Sequence, residues 1–409
     1  MKRVAYITDL HNGQILNKID LGSFSWRLTI NDSSLSTQPN RKVGEDEVTD
    51  VDVRWSAVPG KTQAEKALAL MPGMRAIAVF SQDDDDPLNN GMGVPMLWGG
   101  IDVRKSDWEG TSFGLESIYQ MLGDRYAIPE GWFTDNRSKN VLNFSKATIR
   151  GIAAYIGWLC TDQKPGGQLP VDWQYINEKH SWVSGEDSNK HVRNYWAWNV
   201  NNISGKDIFD KLAGVQDGVD MQWRPYMPDS EHVRNLFVAG TDEEQYLKPE
   251  SGQPIRFICH EGAGNLENLE VDYSKPYQRV YATGSGEDAE TLTAFAEDLS
   301  SVNREGGLAL HELAMSATDD DNFSLLKRDA LGRLEARKRP LMQFSGEFDE
   351  NDPNTPRVGI IHSGEPCIID LQGYPDIPDG LYKTRIMELS GDETSRVKVL
   401  FDVLPAPYF

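Results

Sequence analysis

An alternation of apolar and polar residues with a period of two is the feature that most constrains the fold, because it gives an extended strand one apolar face and one polar face. Residues 24–30 place Phe, Trp, Leu and Ile at every second position, and residues 397–403 place Val, Val, Phe and Val in the same way. Further short strand-like runs, separated by turn signals such as Pro72-Gly73, are residues 51–55, 75–80, 96–104, 111–115, 341–348, 358–362, 366–371 and 381–389. Many short strands with regular turns indicate a barrel or a sandwich.

Helical patterns lie mainly between the two groups of strands. Residues 149–159 repeat Ile and Leu at helical spacing, and Ser204 precedes an amphipathic segment as an N-cap would. A strand at 219–223 is followed by a candidate hairpin partner at 232–239. A short helix is expected near 115–123. A later helix has an apolar face and is ended by a proline; the residues concerned are Phe323, Leu326, Ala330, Leu334 and Pro340.

The chain of 409 residues is too long for one ordinary domain. We expect an α+β fold that is mostly β. The element order predicts a first β domain at 1–130, a mixed α/β middle region at 131–275, and a second β domain, preceded by a helix, at 276–409.

Charge and composition argue against several classes of protein. The formal net charge is −22, and tight DNA binders neutralise phosphates with Lys and Arg, so tight DNA binding is not expected. The longest apolar run, 151–160, is about half of the ~20 residues that a membrane-spanning helix needs, and the N-terminus lacks the apolar segment of a secretory signal. The three cysteines, Cys160, Cys259 and Cys367, are far apart, which fits neither a disulfide framework nor a metal knuckle and suits synthesis in a reducing cytoplasm.

Two short motifs resemble functional loops without completing them. Gly284-Ser285-Gly286 lies between a strand-like run and a helix-like run at 289–299, but the acidic Glu287 and Asp288 that follow would repel a pyrophosphate. His311-Glu312 begins like the helix of a zinc protease, yet Met315 stands where the second histidine is needed. Both motifs are interpreted as ordinary structural segments.

The remaining candidate residues also favour structural roles. Histidines such as His180 and His260 have no Cys or His neighbour at ligand spacing, so they are interpreted as loop or packing residues. The run from Asp83 to Asp86 offers carboxylates to calcium, but its spacing differs from that of an EF-hand, and a solvated turn is favoured. We therefore nominate no catalytic, cofactor-binding or metal-binding residue, and we expect no cofactor and no enzymatic activity.

Tryptophan is concentrated in the middle of the chain. Aromatic side chains can stack on sugar rings or form protein interfaces, but core packing is the more frequent role. The residues concerned are Trp132, Trp158, Trp173, Trp182, Trp196 and Trp198.

The order of elements resembles that of the baseplate-hub or tail-associated minor tail proteins of siphophages, particularly those of actinobacterial phages. The resemblance is carried by the strand at 23–30, the strands at 75–79 and 97–104, the segment 205–214 with the strand at 218–223, and the helix at 325–339 leading to strands that end at 404. It implies two β-barrel domains with an inserted mixed α/β region. It also implies a homotrimer whose six barrels match a hexameric tail tube.

The resemblance further implies a structural role at the tail tip of the virion, as a ring that joins the tail tube to the cell-facing parts. Expected partners are copies of the chain itself, distal tail and tail-tube proteins, the tape measure protein, and other tail-tip or receptor-binding proteins. Genomic DNA would pass without tight binding. Two alternatives stay open: a carbohydrate-binding receptor module of the tail tip, suggested by the tryptophans, and a tail-associated cell-wall hydrolase, suggested by the tail context and abundant carboxylates.

Overall fold

The computed structural model describes residues 1–37, 42–43, 46–47, 50–180, 191–215, 218–303, 306–316 and 322–407. The chain is mostly β, with 41% strand and 17% helix, which confirms the predicted class. The α-helices are α1 (Gln63–Ala69), α2 (Ile118–Met121), α3 (Ile149–Cys160), α4 (Gly205–Ala213) and α5 (Phe323–Arg337). The 3-10 helices are Leu88–Gly91, Leu122–Asp124, Ala197–Asn202 and Asp288–Glu290.

The N-terminal part of the chain is built on an antiparallel six-stranded sheet. Its strands and the short strands beside them are β1 (Lys2–Asp9), β2 (Ile15–Ile19), β3 (Ser25–Leu28), β4 (Ser33–Ser36), β5 (Lys42–Val43), β6 (Asp46–Glu47), β7 (Asp50–Arg54), β8 (Arg75–Gln82), β9 (Val94–Ser106) and β10 (Gly110–Glu116). The sheet order is β2-β1-β8-β9-β10-β7.

The middle part combines helices with two small sheets. Its strands are β11 (Val141–Phe144), β12 (Val171–Trp173), β13 (Arg193–Trp196), β14 (Met221–Tyr226) and β15 (Arg234–Ala239). The predicted hairpin is confirmed, since β14 and β15 pair antiparallel, and β12 joins β15 in parallel. The predicted helix start is confirmed as well: the Ser204 hydroxyl accepts a hydrogen bond from the backbone N–H of Asp207, 3.1 Å away.

The C-terminal part contains a ten-stranded sheet and a small α/β layer. Its strands are β16 (Ile255–His260), β17 (Ala263–Gly264), β18 (Glu267–Ser274), β19 (Arg279–Thr283), β20 (Thr293–Glu297), β21 (Glu312–Ser316), β22 (Leu341–Asp349), β23 (Pro366–Gln372), β24 (Gly380–Asp392), β25 (Arg396–Phe401) and β26 (Leu404–Pro405). The main sheet runs β17-β16-β23-β24-β25-β22-β18, with β26 on β22 and the β3–β4 hairpin on β24. A separate sheet, β20-β19-β21, packs against α5.

The six-stranded sheet is buried on both faces. One face of β8 contributes Ile77 and Val79 to a core that also contains Phe344 and Ile369 of the ten-stranded sheet. Its other face packs, through residues such as Phe80, against α3 and α4. A strand covered on both sides is apolar throughout rather than alternating, which explains the continuous Ala-Ile-Ala-Val-Phe run in β8.

Several finer predictions differ from the structure. Two closed barrels are not shown: within the described residues the six-stranded sheet has β2 and β7 as edges and does not close. Residues 289–299 do not form the predicted helix: Thr293–Glu297 form β20, which pairs antiparallel with β19, and Asp288–Glu290 form a 3-10 helix. The predicted strand at 358–362 is instead a turn, with an isolated bridge between Val358 and Ile361.

Hydrogen bonding crosses the proposed domain boundaries. The β3–β4 hairpin, within 1–130, pairs with β24, and β16 to β18, within 131–275, belong to the same ten-stranded sheet. We retain the three regions as a proposed division of the chain by element order. Strand pairing nevertheless joins them into common cores.

Candidate functional site

Three exposed surfaces of the described chain present aromatic side chains to solvent. The first is the tip of the β9–β10 hairpin, where Trp108 is completely exposed and Val103, on β9, is 66% exposed. Neither apolar side chain is buried within the chain, so this hairpin tip is a candidate contact for another protein.

The second surface lies in the tryptophan-rich middle region. Phe133 and Trp198 line an open cavity of about 570 Å³ together with polar residues of the segment 134–139. Phe133, Trp198 and nearby Trp196, on β13, are between 42% and 62% exposed. An aromatic wall beside amide, carboxylate and guanidinium groups can accept a protein loop or a sugar ring.

The other described tryptophans of this region pack on the core, as predicted. Trp173 is buried, and its indole N–H donates to the hydroxyl of Thr161, 2.9 Å away. It contacts the rings of Phe209, Trp223 and Phe237. Trp132 and Trp158 pack on the same core. Trp182 lies outside the described residues.

The third surface is the outer face of the β20-β19-β21 sheet. Tyr281 and Phe295 are paired across strands with their ring centroids 5.3 Å apart, and both are about two-fifths exposed. Arg279 bridges Glu297 and Glu312 beside them. The inner face of the sheet is covered by α5, so this outer face is the one available to a partner.

The two motifs that resembled functional loops are structural. Gly284-Ser285-Gly286 belongs to the turn of the β19–β20 hairpin, so no helix N-terminus is available for a phosphate. Glu312 is in β21 rather than in a helix, and it accepts hydrogen bonds from Arg279 and Tyr281. These side-chain hydrogen bonds lower the pKa of Glu312.

The acidic run from Asp83 to Asp86 forms the predicted turn, but it is not solvated throughout. The Asp86 side chain is fully buried and paired with Arg357, and it accepts hydrogen bonds from the backbone N–H groups of Asp83 and Leu88. Asp83, Asp84 and Asp85 are exposed as expected. Arg357, from a distant segment, thus occupies the position beside Asp86 that a metal cation would need.

The structure brings one of the histidines close to further potential ligands. His180 was interpreted as a loop or packing residue because no ligand neighbour stood near it in sequence. In the structure His180, His191 and Asp242 converge, with potential ligand atoms within 4.8 Å of one another. His191 is eleven residues away and Asp242 lies on another segment, so sequence spacing alone gave no signal for this cluster.

Comparison with known proteins places the fold. No protein-family model matches the chain, and no curated protein matches it in sequence. The prophage MuSo2 43 kDa tail protein from Shewanella oneidensis aligns over 98% of both chains, with a TM-score of 0.51 and 11% identity. The chain shares the fold of this tail protein.

Other tail proteins align over most of their length with lower scores. The tail protein from Neisseria meningitidis MC58 covers 97% of this chain and 96% of its own, with 10% identity and a TM-score of 0.43. The prophage tail protein gp18 from Listeria monocytogenes EGD-e covers 98% and 94%, with 13% identity and a TM-score of 0.39. In the described part of the chain, no helix is long and apolar enough to cross a membrane.

Proposed function

We propose that the chain is a structural protein of a phage tail tip, forming a baseplate-hub ring that joins the tail tube to the cell-facing parts, of the kind found in actinobacterial siphophages. The observation that carries the proposal is the fold shared with a prophage tail protein along 98% of both chains. A match that spans 98% of both chains relates the whole architecture and not one part of it.

The exposed surfaces fit a protein that works inside an assembly. Edge strands such as β2 and β7 can pair with another chain, and proteins normally cover or block such edges. The Trp108 hairpin tip and the Tyr281–Phe295 face are apolar contacts without a cover in the single chain. A homotrimer, with distal tail, tail-tube, tape measure and receptor-binding proteins as neighbours, would bury such surfaces.

The acidic charge fits a conduit for DNA. A ring at the tail tip surrounds the path of the genome, and a lumen rich in carboxylates would not grip phosphates. In this proposal the net charge of −22 is concentrated toward the inner face of the ring, and the basic segment 327–339 is directed away from it.

A map of the virion tail by electron microscopy tests the proposal directly. We expect three copies in one ring at the tail tip. Trp108→Ala should leave the isolated protein as stable as wild type, because the side chain is fully exposed, and should lower the yield of complete tails. Leu381→Ala, which also truncates a largely exposed side chain, is the matched control. A ring whose copy number is not a multiple of three, or a position outside the tail, would contradict the hub.

A second candidate function, glycan binding at the tail tip, is favoured by the cavity between Phe133 and Trp198. Titration of the purified protein with host cell-wall glycans should then quench tryptophan fluorescence, and Trp198→Ala should abolish the change. Release of soluble fragments from peptidoglycan in the same samples would instead identify a hydrolase. A glycan response that survives Trp198→Ala would locate binding elsewhere.

A further inference from the structure

A buried cluster of two histidines and one aspartate lies where three separate segments meet. The side chains of His180, His191 and Asp242 are 7%, 3% and 3% exposed. His180 Nδ1 lies 2.7 Å and His191 Nε2 lies 3.1 Å from the same carboxylate oxygen, Oδ2 of Asp242. The two imidazole rings are 5.3 Å apart and nearly perpendicular, so they meet at this oxygen and do not stack.

Each residue is fixed by the backbone around it. The backbone N–H of His180 donates to the carbonyl of Lys146, 2.9 Å away. His191 stands two residues before β13, and Asp242 follows β15. The second oxygen of Asp242 accepts the backbone N–H of Ile149, the first residue of α3, at 3.1 Å. A hydrogen bond of this kind orients a carboxylate ligand from behind.

The state of the His191 ring is unusual for a buried histidine. Although Nε2 is near Asp242, the two atoms are not aligned for a hydrogen bond, and neither ring nitrogen of His191 has a hydrogen-bond partner among the described residues. Buried polar atoms are nearly always paired, and an unpaired one costs about 1–3 kcal/mol. A nitrogen that lies close to a carboxylate without donating to it is placed as a co-ligand would be.

The carboxylate is already in its ligand form. Burial acts to raise the pKa of Asp242, but the contacts with His191, the backbone N–H of Ile149 and His180 outweigh it and lower the pKa to about 2. Asp242 is therefore ionised throughout the neutral range. Neutral imidazole and ionised carboxylate are the forms that bind metals.

We propose that His180, His191 and Asp242 form a binding site for a divalent transition-metal ion, with Zn²⁺ as the physiological occupant. Two imidazole nitrogens and one carboxylate oxygen are a donor set that zinc accepts in tetrahedral geometry. Zinc-to-ligand distances near 2.05 Å put neighbouring ligand atoms about 3.3 Å apart. Starting from 2.7 and 3.1 Å, the two nitrogens need to move away from Oδ2 by only about 0.2–0.6 Å.

The ion would join segments that are distant in the chain. It would tie His180, seven residues after β12, to His191, two residues before β13, and anchor both to Asp242 in the loop after β15. The ion would thereby stabilise the segment that carries Trp196 and Trp198. Because the site is buried and its three ligands come from three segments, the bound ion would stabilise this region, with a water molecule as the fourth ligand.

The first experiment measures metal binding by the full-length protein. The protein, freed of metal by a chelator and then dialysed, should bind one equivalent of Zn²⁺, and Co²⁺ should give the intense visible absorption of a four-coordinate ion. Failure of the folded protein to bind either ion would overturn the proposal.

Two variants and one control locate the site. His191→Phe keeps a ring of similar shape and removes both nitrogens, and Asp242→Asn keeps the acceptor for the Ile149 N–H while removing the charge. Each should lower Zn²⁺ affinity at least ~100-fold, because even removal of an outer partner of a zinc ligand costs 10–100-fold. His232→Asn alters a half-buried histidine outside the cluster, paired with Asp229, and should leave affinity unchanged.

The outcomes separate the metal site from a simple hydrogen-bonded cluster. If Zn²⁺ raises the melting temperature of wild type and of His232→Asn but not of His191→Phe, the site is located at His191. If one variant does not fold, the stoichiometry and the Co²⁺ spectrum of the wild-type protein still decide the question. Binding that is equal in wild type, His191→Phe and Asp242→Asn would place the ion elsewhere and refute the assignment.

Discussion

We expect that Gly157, in the middle of α3, cannot be replaced without a loss of stability, because the ring of Trp173 lies directly against it. A Cβ atom added at this position would lie 2.2 Å from two ring carbons of Trp173. Non-bonded carbons are comfortable at about 3.5 Å or more, so the ring or the helix would have to move by about 1.3 Å. Trp173 cannot easily move, since its N–H is bonded to Thr161 and its faces are packed by aromatic neighbours.

The expected free-energy change of Gly157→Ala combines two opposing effects. Replacing glycine by alanine inside a helix normally stabilises by about 1 kcal/mol. Overpacking of a tight core costs about 1–3 kcal/mol, and the upper value applies because Trp173 is held on several sides. The net expectation is a loss of about 2 kcal/mol.

Gly332, in α5, supplies the matched control. No atom lies within 4 Å of a Cβ added there, so Gly332→Ala should show only the gain in helix propensity, about 1 kcal/mol. Hydrogen exchange of the backbone amides measures the local stability of α3 and of α5 separately. Trp173→Leu in the Gly157→Ala background should recover part of the loss. A Gly157→Ala protein that is as stable as wild type would refute the steric argument.

Three further predictions follow from buried ionisable groups. Glu350→Ala should lower the free energy of unfolding, measured by chemical denaturation, by about 3–5 kcal/mol. Both side chains of the Arg3–Glu350 pair are fully buried, so Arg3 would be left without a compensating charge. A loss below about 1 kcal/mol would argue against this. Burial lowers the pKa of His362, so the unfolded chain binds the proton more readily, and stability should be lost as the pH falls through about 6.5; His362→Gln should flatten that part of a pH titration of stability. Burial raises the pKa of the Cys160 thiol to about 12, so a thiol reagent should label half-buried Cys259 first and Cys160 only on unfolding; equal rates in the native protein would contradict this order.

Local patterns were sufficient to predict elements whose signals are local. The Ser204 N-cap and the β14–β15 hairpin appear at the predicted places, and so does the buried face of α5 except for Phe323, which is 55% exposed. The helix α1 was missed although its signal is equally local. Thr62 and Glu65 form a capping box, with the Thr62 side chain accepting the Glu65 N–H and Glu65 accepting the Thr62 N–H.

The predictions failed where the conformation of one segment depends on its contacts with another segment. Residues 289–299 contain good helix formers, yet β19 offers an unpaired edge, and β20 pairs with it while Ala294 and Ala296 pack on α5. Tertiary context overrides propensity in such a case. The His180 cluster was missed for a related reason, since side chains that come from three segments have no characteristic spacing in the sequence.

The division into β domains illustrates the same limit at larger scale. Alternation in residues 24–30 identified a strand but could not identify its partner. In the structure Trp26 of β3 lies opposite Gly391 of β24, and its indole N–H donates to the carbonyl of Asp392, 2.8 Å away. The Arg3 guanidinium packs on the same indole. Because Arg3 also pairs with Glu350, the first strands of the chain and the last sheet depend on one buried group of residues. Two regions that appear separate in sequence thus share one core, and neither the first strands nor the last sheet can be packed without the other.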